Sequence, residues 1–168
     1  KNNSKQKSNK KVPFNEFANV QKGFGYKGVE KFEKPTGYFF VTLDSILEGG
    51  GFKTEYSWIE SSRLKNRHFI NELDLIIAST DLTSGRLLAT PALVIKPYYD
   101  KNQKGVFSMD VSKLLLNKSN SKFYLYFLLM DQREEICYSY NTGTGVLHFD
   151  SNNFENNFEI TLPPDDLL

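Results

Sequence analysis

Two short apolar runs on either side of a polar hexapeptide set the strongest limit on how this chain folds. NELDLIIAS places Leu73, Leu75, Ile76 and Ile77 after the polar Asn71 and Glu72, and ATPALVIKP repeats the pattern from Ala89 to Pro97. The intervening TDLTSG has the composition of a tight connection. Together they read as two buried strands joined by a polar loop. GYFFVTL, from Gly37 to Leu43, is a third strand, followed by a short helical turn and the loop GGGF, which is either a mobile clasp or a spacer. VFSMDV adds a strand over Val106 to Val111, and PFNEFANVQK, with Phe14, Phe17, Ala18 and Val20 on one face, reads as a short helix. From Ser119 or Ser121 as a cap, Phe123, Phe127 and Met130 recur at helical spacing, which predicts a helix of about five turns with the FYLYF aromatics in the core. NTGTG ends it. VLHF is then a short strand, Ser151 a helix cap, and FEITLPP a last strand ending at Pro163. Strands and helices mix without a regular βαβ alternation or an internal repeat, so the expected class is α+β: a twisted mixed sheet with a few packed helices.

The length of 168 residues suits one domain. Residues 1–11 carry five lysines and no apolar side chain before Lys11, so they are expected to be a disordered basic tail. Those five charges leave −4 for the rest of a chain whose formal net charge is +1. Bulk charge therefore does not announce a nucleic-acid binder. Such a role would rest on local clusters: Arg63, Lys65, Arg67 and His68 in SSRLKNRH, or Lys22 and Lys27 around a glycine loop. The alternative for each is a solvated face. No apolar run reaches the roughly 18 residues of a membrane span. The lone Cys137 fits a reducing compartment, so a cytoplasmic location is expected.

No catalytic constellation emerges. GFGYKG, Gly23 to Gly28, satisfies the dinucleotide pattern GxGxxG, but that pattern has force only between a buried strand and a helix. Here it is read as the stop and loop after a helix, with a charged, proline-terminated segment following. His148 lies between Leu147 and Phe149, where a structural imidazole is favoured over a catalytic base. No histidine pair, cysteine pair or acidic cluster suggests a metal. LPPD, Leu162 to Asp165, lacks the flanking residues of an amino-methyltransferase tetrapeptide. No cofactor is expected.

The order of these segments resembles a target-recognition domain of a type I restriction-modification specificity subunit, over most of the length. The family's "gDil" strand entry is matched by Leu73, Asp74, Leu75 and Ile76. Its late stretch ending in a proline pair is matched by Gly143, Thr144, Val146, Leu147, His148, Phe149, Phe154, Ile160, Leu162, Pro163 and Pro164. Two departures stand out: Thr80-Asp81 occupies a place where many relatives have Thr-Gly, and one domain is present where specificity subunits usually carry two, separated by long helices. The resemblance implies that residues 12–164 form a recognition domain reading one half of a split double-stranded DNA target, and that residues 165–168 begin a truncated spacer helix. It implies a chain that is not an enzyme. A methyltransferase subunit and, through it, a restriction subunit would supply S-adenosylmethionine chemistry and cleavage. Two rival readings are the recognition lobe of a single-chain methyltransferase-endonuclease, and a protein- or carbohydrate-binding module, the latter favoured by the −4 body.

Three polar turns are the expected DNA contacts. In GFGYKG, backbone amides would approach a phosphate while Lys27 adds charge and Tyr26 a hydroxyl, with Lys22 beside them. In STDLTSGR, Arg86 would fork onto guanine while Ser79, Thr80, Asp81, Thr83 and Ser84 offer short contacts, unless Arg86 merely leads a strand and Asp81 caps a turn. In SYNTGTG, Tyr140, Asn141, Thr142 and Thr144 lie on the turn, Asn141 being suited to adenine or, alternatively, to ending a helix.

Overall fold

The computed structural model describes residues 10–98, 104–117 and 122–162. The expected tail 1–9, the caps Ser119 and Ser121 and the expected spacer start 165–168 lie outside them. Strands and helices are numbered in chain order. One antiparallel sheet has the order β2 (Ala18–Lys22), β11 (Val111–Leu116), β7 (Leu75–Ala78), β9 (Pro91–Leu93). A second, mixed sheet runs β3 (Lys31–Phe32), β5 (Ser57–Ile59), β4 (Tyr38–Val41), β10 (Lys104–Phe107), β6 (Phe69–Asn71), with β4 and β10 parallel. A small antiparallel sheet joins β12 (Asn141–Thr142), β13 (Leu147–Phe149) and β8 (Thr80–Asp81), and β1 (Lys11–Pro13) pairs with β14 (Glu159–Thr161). The helices are α1 (Phe14–Phe17), α2 (Lys122–Asp131), α3 (Arg133–Ser139) and α4 (Ser151–Asn157). The protein is thus a single α+β domain.

The layering follows from period-2 side-chain alternation in β7, where Leu75, Ile76, Ile77 and Ala78 are all buried. Leu75 and Ile77 join a core with Leu125 and Leu129 of α2, Ile136 of α3 and Phe154 of α4. Ile76 and Ala78 point the other way, into a core with Phe39, Val41 and Phe107 of the mixed sheet. The antiparallel sheet therefore lies between helices and the second sheet, which explains why both central runs are apolar throughout. A third cluster, Phe24, Phe40, Ile59 and Val106, covers the far face of the mixed sheet.

Several expectations are corrected. The predicted helix over PFNEFANVQK is one helical turn, after which Ala18–Lys22 is a strand paired with β11 from Ala18↔Leu116 to Lys22↔Ser112. The strand wins because β11 offers it a full ladder of partners, whereas a short isolated helix is marginal. Lys11, assigned to the basic tail, is already in β1 opposite Thr161. VFSMDV is not one strand: the chain turns at Ser108–Asp110, leaving the mixed sheet for the antiparallel one. The long helix is broken at Gln132, whose φ of −101° and ψ of 10° depart from helical geometry. Leu125 and Leu129 of α2 are buried and Tyr124 and Tyr126 pack against the same core, while Phe123 and Phe127 are 56% and 67% exposed, so only part of the aromatic stripe turns inward. Asp150, not Ser151, caps α4, its side chain accepting from the Asn153 amide at 3.1 Å. GGGF closes a turn whose ends bridge Ile46 to Phe52. Among the described residues no helix is long and apolar enough to cross a membrane.

Gly23 is required by a close approach. A Cβ there would sit 2.1 Å from the Ser108 carbonyl oxygen, a backbone atom that cannot swing aside. Gly23→Ala is expected to destabilise the fold by about 1–3 kcal/mol, as overpacking does. A Cβ at Gly28 would meet nothing within 4 Å, and Gly28→Ala should stay within about 0.5 kcal/mol of wild type in urea denaturation.

Candidate nucleic-acid interface

The Ser108–Asp110 turn is tied on three sides. Ser108 N–H donates to Val41 O (2.8 Å) and Met109 N–H to Phe24 O (3.0 Å), while Asp110 O accepts from Ser79 N–H (2.8 Å). The Phe24 amide donates to Phe107 O at 2.8 Å. These bonds hold the glycine loop, the turn and the β7–β8 link side by side. The β12–β13 hairpin joins the group through β8, with His148 opposite both Thr142 and Thr80. A cleft of about 630 Å³ opens where they meet. It is lined by Lys22, Gly23 and Gly25, by Ser79, Thr80, Met109, Asp110 and Ser112, and by Thr142, His148 and residues at the start of α4 (Asp150, Asn152). All three predicted polar turns thus send residues into one cleft.

Not every predicted contact lies there. Asp81 is fully buried, and its carboxylate accepts from the Thr83 amide and hydroxyl and from the amides of Leu87 (2.7 Å) and Leu88 (2.8 Å). Burial works to raise its pKa, but these donors outweigh it and hold the carboxyl below the usual aspartate range. Asp81 therefore shapes its own loop and is absent from the cleft lining. Thr83 and the exposed Ser84 belong to that same loop, outside the cleft. Arg86 reaches back to Thr83 O (3.2 Å) and pairs with Glu48 at 3.4 Å, a largely exposed contact that holds two loops together weakly. Tyr140 packs edge-on against Phe154 and Phe158, at 5.3 and 6.0 Å between centroids, rather than standing on the turn. Asn141 donates from Nδ2 to Cys137 O (2.7 Å) and Tyr138 O (3.0 Å), so it ends α3 through its side chain. Thr144 stays exposed in the hairpin turn, whose Gly143 has φ +96° and no room for a Cβ beside Val146 O.

The glycine loop is also more fully bonded than its sequence suggests. The Phe24 amide is engaged as above, and the Lys27 amide donates to Glu30 Oε2 at 2.7 Å. The Tyr26 ring packs edge-on against Phe40 at 4.9 Å. Arg63 binds Glu30 at 2.5 and 3.1 Å, reaches Gly25 O at 3.2 Å, and covers the Phe24 ring at 4.8 Å. The Glu30 carboxyl is pulled down to about 2 by the hydrogen bonds from Arg63, then Ser61 and the Lys27 amide. Arg63 therefore fastens the loop, leaving Lys22, Lys27, Lys65 and Arg67 as its exposed cations.

His68 reports the potential around that loop. Its ring lies 5.0 Å from Phe24, and Nδ1 accepts from the Lys65 amide at 3.1 Å. Arg67 Nε–H is aimed at Nε2 at 3.2 Å, and since a neutral imidazole accepts at only one nitrogen, the two donors compete for it. Burial first, then the charges of Arg67, Lys65 and Arg63, push its pKa down. This end of the molecule is locally positive.

The cleft itself is not. Lys22, Asp110 and Asp150 all line it. His148, read from sequence as structural, has an exposed side chain on the cleft wall. Met109, 60% exposed, together with Asp110 and Asn152, completes a set that the sequence reading missed. Ser and Asp inside VFSMDV were the available turn signal.

No family model matches the chain, and no curated protein does. Solved structures do. A structure described as showing complex assembly and conformational transition of the type I R-M system superposes with TM-score 0.66 at 14% identity, over 94% of this chain and 34% of that one. The HsdS subunit from Thermoanaerobacter tengcongensis gives 0.64 at 14%, over 92% and 33%. The type I restriction-modification S subunit from M. genitalium gives 0.57 at 11%, over 90% and 34%. The fold is thus similar to one found in type I restriction-modification S subunits, and the chain spans about a third of the length of the structures it matches.

Asp81→Asn removes one acceptor from a four-donor site and is expected to cost about 1–3 kcal/mol at neutral pH. Because the folded-state pKa is lowered, the carboxylate's contribution is present above the ordinary aspartate value near pH 4 and is lost as pH falls through the folded value. Chemical denaturation between pH 7 and pH 2.5 should show that acid-dependent loss in wild type and a smaller one in the variant.

Proposed function

We propose that this chain is a DNA target-recognition module that reads one half of a bipartite double-stranded target within a type I restriction-modification complex. Methylation and cleavage then belong to partner subunits: a methyltransferase subunit and, through it, a restriction subunit. The observation that carries this reading is the convergence of three separate polar turns on one cleft, in a fold similar to S subunits over nine-tenths of the chain. The cleft offers hydroxyls at Thr80 and Thr142, an imidazole at His148, an amide at Asn152 and a carboxylate at Asp110, which is a set of donors and acceptors for base edges. The exposed cations Lys22, Lys27, Lys65 and Arg67 at the glycine-loop end suit phosphates. Thr144 stands on the same hairpin as Thr142.

One observation favours a second reading. Carboxylates in the cleft and a body charge of −4 also suit a cationic protein partner.

Selection from randomised duplex DNA separates the two, since the first reading expects one short half-site and the second expects no enrichment. On the selected site Lys22→Ala should weaken binding to all sequences alike and lower the slope of log K against log salt by about one. Thr142→Ala should instead relax preference at one position, by about 1–3 kcal/mol of discrimination. A flat salt dependence, or an empty selection, would overturn the assignment.

A further inference from the structure

We infer that Asp110 is a specificity-determining residue of the cleft, accepting a hydrogen bond from an exocyclic amino group on a base edge; this rests on the DNA-binding reading above. Its carboxylate differs from the other aspartates around it. Asp81 is saturated by its own loop, Asp150 caps α4 through Asn153, and Asp74 accepts from the Asn71 amide (2.8 Å) and pairs with Lys113 (3.3 Å). The Asp110 side chain forms no hydrogen bond or ion pair with any described residue, although it lines the cleft and is only half-exposed.

The backbone that carries it is fixed. The Asp110 amide donates to Ser108 Oγ at 3.3 Å, its carbonyl accepts from Ser79 N–H at 2.8 Å, and Ser108 is itself fully buried. Neighbouring Met109 is pinned through Phe24 O. An unpaired carboxylate keeps its acceptors free, and the turn that carries it is settled before a ligand arrives, which limits the ordering cost of binding to the side chain alone.

Charge then decides which partner. An anion repels phosphate and also repels the acceptors that guanine O6 and N7 and thymine O4 present in the major groove. The donors there are cytosine N4 and adenine N6. Asp110 therefore gains from a half-site position only where one of these amines meets it, and it penalises the other orientations of the base pair. Discrimination against the wrong base at that position is expected to be about ten- to a hundredfold.

The test compares the full chain with Asp110→Ala and Asp110→Asn in selections from randomised duplex DNA. Wild type should fix cytosine or adenine at one position, Asp110→Ala should lose that preference alone, and Asp110→Asn should move it toward adenine, with which an amide pairs in two bonds. On the selected duplex, replacing that cytosine or adenine by an analogue lacking the exocyclic amine identifies which base is read. The loss should be tenfold or more in wild type and absent in Asp110→Ala. If wild type enriches a half-site and Asp110→Ala returns the same one, the inference is wrong while the DNA-binding reading stands. A variant that binds every sequence more tightly by one common factor also overturns it, since that marks a carboxylate acting only as a repulsive charge. Failure of wild type to enrich anything defeats the DNA-binding reading itself.

Discussion

The chain changes sheets at Ser108, and the rest of the molecule is arranged around that step. β10 ends as an interior strand of the mixed sheet, and three residues later β11 begins as an interior strand of the antiparallel one. A crossing this short brings the two sheets close together, and it leaves no space for a side chain where the glycine loop passes over Ser108. Phe24 bridges to Ser108, and its ring enters the third apolar cluster beneath Arg63. Residue choice at Gly23, Phe24 and Ser108 is therefore one constraint seen from three positions. The cleft is its outward consequence, since the elements lining it are those that the crossing holds together.

The polar loops are stable because most of their hydrogen-bonding groups are satisfied within the protein. Asp81 gathers the amides of Thr83, Leu87 and Leu88 and so folds the connection between the two central strands. Asn141 terminates α3 and hands the chain to β12. Arg63 and Glu30 clasp the glycine loop. Each of these looks like a recognition residue in the sequence, being a polar or charged side chain in a glycine-punctuated turn. Their structural role follows from backbone supply: a turn leaves amides and carbonyls unpaired, and a nearby Asp, Asn or Arg is the cheapest partner for them.

The same logic marks how much was legible beforehand. The class and the central strands Leu75–Ala78 and Pro91–Leu93 follow from composition and apolar runs, because burial on both faces leaves few residue types to choose from, while the Leu147–Phe149 strand follows from two apolar residues flanking an exposed His148. Strand Ala18–Lys22 does not: ANVQK has weak local preference, and its partner β11 lies about ninety residues away in sequence. Local periodicity cannot see such pairing. All three turns named from the sequence send residues into one cleft, but the set of residues differs from the one expected. Lys22, Ser79, Thr80 and Thr142 remain, Asp81, Thr83, Ser84, Arg86, Tyr140 and Asn141 are among those outside it, and Met109, Asp110, His148 and Asn152 enter. The entrants sit on a turn hidden inside an apparent strand, at the one exposed position of a short strand, and at the start of a helix.

Net charge is a poor guide to what such a surface binds. At physiological ionic strength charges beyond about 8 Å are largely screened, so a body charge of −4 acts on a duplex only through the residues close to it. Near the glycine loop those residues are cationic: Lys22, Lys27, Lys65 and Arg67 are all exposed there. Inside the cleft they are mixed, since Lys22, Asp110 and Asp150 all line it. A duplex bound as proposed would therefore set its phosphates against the loop and its base edges against the cleft. The reverse arrangement would bring phosphate oxygens against two carboxylates. Separation of charge along one surface fixes the orientation of a rod-like polyanion, which is a task that uniform positive charge would perform less well.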